Sequence, residues 1–114
     1  MTDEQIVLGR RAVACRGWRW MPGMRWWTDD DRGRLDDFQP EYMGRPTDAL
    51  PDLTDPATLG CLLALVREAC VQDDLVAFRF GEQWCTEVTP QEGLHYVYGA
   101  SEAEALVAAL EGAP

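Results

Sequence analysis

The sequence predicts an α+β fold in a single domain, and three observations carry that expectation. A capped amphipathic helix starts at Asp55, three segments between 75 and 98 alternate by twos, and a second capped helix starts at Ser101. With 114 residues, the chain is long enough to close one hydrophobic core without covalent staples.

The elements follow in order. Thr2-Asp3-Glu4-Gln5 reads as a capping box, with acids suited to the positive end of a helix. IVLGRRAVAC continues that helix to about Cys15, despite Gly9. The next stretch, RGWRWMPGMRWW (16–27), alternates tryptophan and arginine on both sides of Pro22-Gly23. Pro-Gly fits the centre of a type II turn, and the flanking aromatics predict two short strands or extended arms. Residues 28–54 show no sustained periodicity and carry many aspartates, with prolines at 40, 46 and 51 and a further one at 56. A long irregular connection is expected there.

The body spans 55–111. Asp55 is a natural N-cap and Pro56 suits the first helical position. Leu59, Leu62, Leu63, Val66 and Cys70 then form one apolar face, off which Arg67 and Glu68 fall. LVAFRF (75–80), QWCTEV (83–88) and LHYVY (94–98) read as three antiparallel strands. Val76, Phe78 and Phe80 share a face, as do Trp84, Thr86 and Val88, and Leu94, Tyr96 and Tyr98. Gly81-Glu82 suits a two-residue hairpin turn and PQEG (90–93) a four-residue one. Ser101 with Glu104 caps the last helix, whose stripe is Leu106, Val107 and Leu110. The chain thus divides into a helix with a Trp/Arg arm (1–27), a connection (28–54) and an α-β-β-β-α body (55–111).

Charge narrows the function classes. The formal net charge is −10, and all ten bases are arginine. In residues 1–45 eight arginines balance eight acids; in 46–114 only Arg67 and Arg79 oppose twelve acids. Nucleic-acid binding needs net positive surface facing phosphate, so direct binding of that kind is not expected. An anionic membrane surface is disfavoured for the same reason, and no run of 18 apolar residues spans a bilayer. The acidic N-terminus has the wrong polarity for a secretory signal.

No enzymatic signature stands out, and no metal or cofactor is expected. Cys15, Cys61, Cys70 and Cys85 are widely spaced, lack a CxxC pair and sit in apolar settings, which predicts buried thiols in a reducing compartment. Asp29-Asp30-Asp31 with Asp36 and Asp37 fails the calcium-loop pattern, since Arg34 stands at its sixth position and Pro40 at its twelfth. Arg32 and Arg34 interleave with these acids, which predicts a solvated loop. His95 and Cys85 could in principle form a dyad or two zinc ligands, but neither has an elbow-like or glycine-rich setting, so an ordinary sheet histidine is expected.

The candidate partner-binding residues fall in two sets. Trp18, Arg19, Trp20, Arg25, Trp26 and Trp27 combine the two residue types that dominate interface hot spots, and Asp29, Asp30 and Asp31 follow them. Core packing is expected for most of these rings, with one or two at an interface. Asp73, Asp74, Glu82 and Glu87 belong to the acids of 46–114, with Asp48, Asp52, Asp55, Glu92, Glu102, Glu104 and Glu111. Spread over one face, such acids would either solubilise the chain or imitate a phosphate backbone for a basic groove on a partner. An exposed tryptophan cluster would also favour homo-oligomers.

The order α-β-β-β-α is similar to that of double-stranded-RNA-binding modules. Where those modules place lysines, at the start of the last helix, this chain reads SEAEALVAAL with no base, so RNA binding is not expected. Three stretches, LGRRAVACRGWRWMPGM (8–24), LPDLTDPATLGCLLALVREA (50–69) and SEAEALVAALEGAP (101–114), resemble an uncharacterised family of small acidic phage and prophage proteins from GC-rich hosts. The resemblance implies a phage origin and a place in the cytoplasm of an infected bacterium, and it carries over no catalytic or binding residue. Phage proteins of this size and acidity include inhibitors of host defence, among them anti-CRISPR proteins. The expected function is therefore non-enzymatic protein binding, plausibly inhibition of a host nucleic-acid-targeting complex through an acidic surface. A small-ligand or nucleotide-binding module, or a phage protein of purely structural role, is the alternative.

Overall fold

The computed structural model describes residues 1–35, 45–89 and 95–113. Along the chain lie α1 (Asp3–Val13), β1 (Arg25–Trp27), β2 (Arg32–Arg34), β3 (Leu50–Pro51), α2 (Pro56–Ala69), β4 (Ala77–Phe80), β5 (Gln83–Val88), β6 (His95–Gly99) and α3 (Glu102–Glu111). Two antiparallel three-stranded sheets form, in the orders β2-β1-β3 and β4-β5-β6. The fold is α+β, as the patterning predicts.

Local chemistry sets the helix ends. The Thr2 hydroxyl accepts from the Gln5 N–H at 3.1 Å while the Gln5 side chain accepts from the Thr2 N–H at 2.8 Å, completing the capping box. Asp55 and Ser101 accept from the N–H groups of Thr58 and Glu104 at the starts of α2 and α3. Helix α1 stops at Val13, short of the expected Cys15, because the chain tightens at its C-cap: the Cys15 N–H turns back to the Ala12 carbonyl.

Two expectations for the front of the chain need correction. Only the residues after Pro22-Gly23 form a strand; Trp18 to Met21 do not pair. The turn itself has the expected form, with Gly23 at φ +91° and the Met24 N–H bonded to the Met21 carbonyl at 3.1 Å. The partners of β1 instead come from the segment expected to be irregular, since both β2 and β3 lie within 28–54. Strands of three and two residues carry no readable periodicity; long-range backbone pairing creates them. Asp36, Asp37 and Pro40 lie outside the described residues, as do the PQEG turn and Leu94.

Side chains divide into two packed regions. The larger gathers Ala12, Leu62, Val66, Leu75, Val88 and the buried stripe of α3, including Leu106, Val107 and Leu110. The smaller gathers Met24, Trp26, Leu35, Ala49 and Leu65, beneath the β2-β1-β3 sheet. Helix α3 covers one face of β4-β5-β6, in contact with all three strands. The part of that face packed into the core consists of Ala77, Thr86, Val88 and Val97, which leave room for a helix, while Arg79, Trp84 and His95 stand on the same side.

Candidate functional site

The other face of β4-β5-β6 is the candidate site. Alternation along the strands puts Phe78, Phe80, Cys85, Glu87, Tyr96 and Tyr98 on it, because Phe78 and Tyr98 both pair with Cys85, Phe80 pairs with Gln83 and Tyr96 with Glu87. Phe80 is 66% exposed, and Tyr96 and Tyr98 are 47% each. Val76, at the entry to β4, is also exposed. The two tyrosine rings lie 6.5 Å apart in a tilted arrangement. Large aromatics presented together on a soluble domain mark a contact surface more often than scattered ones do.

Acids lie on this face and in the turns that lead into its strands. Glu87 lies on the face itself, opposite Tyr96. Glu82 occupies the β4–β5 hairpin turn, where Gly81 at φ +66° provides the tight reversal expected of Gly81-Glu82. Asp73 and Asp74 lie in the turn that leads from α2 into β4. All four are exposed, and none forms an ion pair within the described residues. Of the four acids singled out, the structure puts Glu87 on this face, Glu82 in the hairpin that joins two of its strands, and Asp73 and Asp74 in the turn before β4.

The Trp/Arg arm is placed differently. Trp26 is buried, and Trp18 and Trp20 are partly buried against the packed regions, with rings 5.5 Å apart edge to face. Trp27 is partly buried as well. The arm is thus mostly core, as expected for most of its rings, and it presents no exposed tryptophan cluster. The indole N–H groups of Trp18 and Trp27 are buried without an acceptor among the described residues. The nearby arginines are engaged internally. Arg19 meets Glu68 at 2.7 Å, Arg25 meets Asp52 at 3.7 Å, and Arg34 meets Asp55 at 2.9 Å. Of the acids of 46–114, Asp52 and Asp55 do not contribute to an outer acidic face, since they turn inward to meet arginines from the front. Their neighbour Asp48 stays exposed.

Asp29, Asp30 and Asp31 form the exposed tip between β1 and β2. The Thr28 hydroxyl accepts from the N–H groups of Asp30 and Asp31 at 3.3 and 3.0 Å, and Asp31 accepts from the Arg32 N–H at 2.8 Å. They belong to a different sheet from the aromatic face, so the two sets of candidates do not form one site. Among the described residues, no three His, Cys, Asp or Glu side chains come together as a metal group.

Cys85 and His95 cannot act as a dyad. Cys85 points to the aromatic face, whereas His95 pairs with Val88 and points to the opposite one. Burial pushes the Cys85 thiol up, with the nearby Glu87 adding in the same direction. The thiols of Cys15, Cys61 and Cys70 are also raised by burial, so each of the four is a poor nucleophile at neutral pH. All four cysteines are free.

The aromatic residues of the site escape composition-based reading, although the alternation that groups them is visible. What alternation leaves open is which face a helix covers. Residue size holds part of the signal: Ala77, Thr86, Val88 and Val97 suit a covered face, and Phe78, Phe80, Tyr96 and Tyr98 alternate with them, although Trp84 shares the side of Thr86 and Val88. Comparison with family models, with curated proteins and with solved structures gives no match to this chain.

Proposed function

We propose that this chain is a non-enzymatic binding protein whose outer β4-β5-β6 face docks on a basic surface of a partner protein. One observation carries the reading. Phe80, Tyr96 and Tyr98 are exposed on one sheet face with Glu87, Glu82 lies in its hairpin and Asp73 and Asp74 in the turn before β4, and among the described residues that face carries no base. Aromatic anchors supply buried area and stacking surface for arginine, while these carboxylates steer a cationic partner and fix its orientation. The same acids repel phosphate, which argues against bases stacking on these rings. In the phage setting that the sequence resembles, the partner is a host nucleic-acid-targeting complex. The chain would inhibit it by occupying a basic groove, a task that needs no catalytic group.

A capture experiment with wild type and a Phe80→Ser/Tyr98→Ser variant tests the proposal. Both side chains are exposed, so the variant keeps its fold, which circular dichroism verifies. From lysate of a GC-rich bacterial host, wild type recovers a basic protein at about 0.1 M salt and less of it at about 0.5 M. The variant recovers at most a tenth as much, and the purified partner reproduces the difference. Recovery of no basic protein at either ionic strength, or equal recovery by the variant, refutes the reading.

A further inference from the structure

A second recessed surface lies away from the aromatic face, on the other side of α3. Helices α1 and α3 pack in parallel: Arg11, near the end of α1, meets Glu111 at the end of α3 at 2.6 Å, and the first turns of both helices border one cleft. This cleft has a volume of about 750 Å³ and is open to solvent. Val7, Leu8, Leu53, Leu59 and Ala103 give it an apolar lining. Val7 is a valine on a helix yet more than half exposed, so much of its apolar surface faces solvent.

The lips of the cleft are acidic. Asp3 and Glu4 come from the first turn of α1, and Glu102 and Glu104 from the first turn of α3. Each has a local reason to be there, since carboxylates favour helix N-termini. The packing of the two helices nevertheless brings all four to one opening. The base in the lining, Arg11, is held by both carboxylate oxygens of Glu111. An apolar trough between two parallel helices, edged by carboxylates, complements a third helix with an apolar stripe flanked by cations.

We propose that the α1–α3 cleft is a second binding site, which takes a basic amphipathic helix of a partner protein. The stripe of that helix covers Val7, Leu8 and Leu59, and its lysines or arginines reach Asp3, Glu4, Glu102 and Glu104. This site is independent of the aromatic face and brings a second contact within reach of the same or another partner.

The probe is a fluorescently labelled leucine/lysine peptide of about four helical turns, with two controls. One has the same composition in an order that breaks the apolar stripe; the other replaces lysine by glutamate. Anisotropy titration should show the amphipathic basic peptide binding wild type at least about tenfold more tightly than either control. Val7→Ser combined with Glu102→Gln should remove most of that preference, whereas Phe80→Ser/Tyr98→Ser should leave it unchanged. As a check that needs no variant, amide shifts on titration should concentrate at Val7, Leu8 and Ala103. Three results overturn the proposal: equal binding of the three peptides, a preference that survives the cleft substitutions, or shifts concentrated on β4–β6. Because the aromatic-face variant is read separately, failure here leaves the reading of that face to its own test.

Discussion

Arg34 donates to both carboxylate oxygens of Asp55, at 2.9 and 3.0 Å, and so ties β2 to the N-cap of α2. The same guanidinium donates to the Gly23 carbonyl at 2.6 Å. Asp55 also accepts from the N–H and the hydroxyl of Thr58, and that hydroxyl accepts from the Arg25 N–H at 2.8 Å. One carboxylate thereby joins the Pro22-Gly23 turn, two strands and a helix start.

This network makes the fold acid-sensitive in a defined direction. The Arg34 guanidinium holds Asp55 well below the usual carboxylate range, with Thr58 assisting and burial opposing. Glu111 is lowered in the same sense by Arg11. A depressed folded-state value means that the unfolded chain takes up protons first, so stability is complete above the ordinary carboxylate pKa of about 4 and declines as pH falls below it. In urea unfolding at neutral pH, Asp55→Ala should cost about 1–2 kcal/mol through the lost cap. Asp55→Asn keeps a capping oxygen and should cost less. The gap between wild type and Asp55→Asn should narrow as the buffer is taken from neutral to about pH 3. A gap independent of pH would show that the ion pair contributes nothing.

Two fully buried threonines should respond oppositely to the same substitution. Thr58 Oγ1 donates to Asp55 and accepts from Arg25, whereas Thr86 Oγ1 is buried without a partner among the described residues. Thr58→Val should destabilise by about 1–3 kcal/mol, because a buried N–H and a carboxylate each lose a partner. Thr86→Val keeps the volume, suits the central strand and removes an unsatisfied hydroxyl, so it should stabilise by about 1 kcal/mol. Thermal unfolding of the pair checks both signs.

Val71 should improve on replacement by glycine. It follows the C-cap of α2 at φ +51°, a left-handed conformation that a β-branched residue disfavours. The surrounding bonds, Val71 N–H to Glu68 O and Gln72 N–H to Arg67 O, form a Schellman motif whose preferred residue here is glycine. Val71 is 89% exposed, so its removal sacrifices little packing. Val71→Gly should raise stability by about 1 kcal/mol, strain relief outweighing the added freedom of the unfolded chain. A lower melting temperature would contradict this.

Glycines 60 and 99 form another contrasting pair. A Cβ at Gly99 would strike backbone atoms at the start of α3, the Ala105 nitrogen and, at 2.8 Å, the Glu104 carbonyl carbon. Backbone cannot step aside as a side chain can, so Gly99→Ala should cost more than about 3 kcal/mol by forcing α3 off β6. Gly60 sits inside α2 with open space around it, and Gly60→Ala should gain about 0.5–1 kcal/mol from helix propensity. Denaturant midpoints of the two variants should move in opposite directions.

Much of the architecture is legible where its causes are local. The Asp55-Pro56 start, the Gly81-Glu82 reversal, the bounds of β5 and the Ser101 cap all follow from neighbouring residues. The β2-β1-β3 sheet is not legible, because Arg32–Arg34 and Leu50–Pro51 become strands only through pairing with Trp26 and its neighbours. The inward turn of Asp52 and Asp55 is hidden likewise, as a run of acids does not disclose which arginine each will meet. Strand alternation sorts Phe80 and Tyr98 from Thr86 and Val97, but a helix placed elsewhere in the sequence decides which group meets water.

Trp18 is a side chain that packs against both hydrophobic regions, while α2 sends Leu62 and Val66 into one and Leu65 into the other. With the Arg34–Asp55 bonds and the contact of β3 with α1, these shared side chains link the small sheet to the larger body, and the sheet opens by itself only where those links give way. Amide hydrogen exchange should then sort into two tiers. The amides of β1 and β2 should exchange through a partial opening of lower free energy, and those of β5 and α3 only through global unfolding. Trimming Trp18 to leucine should bring the faster tier forward more than the slower one, making this ring the coupling between two cooperative units of a single domain.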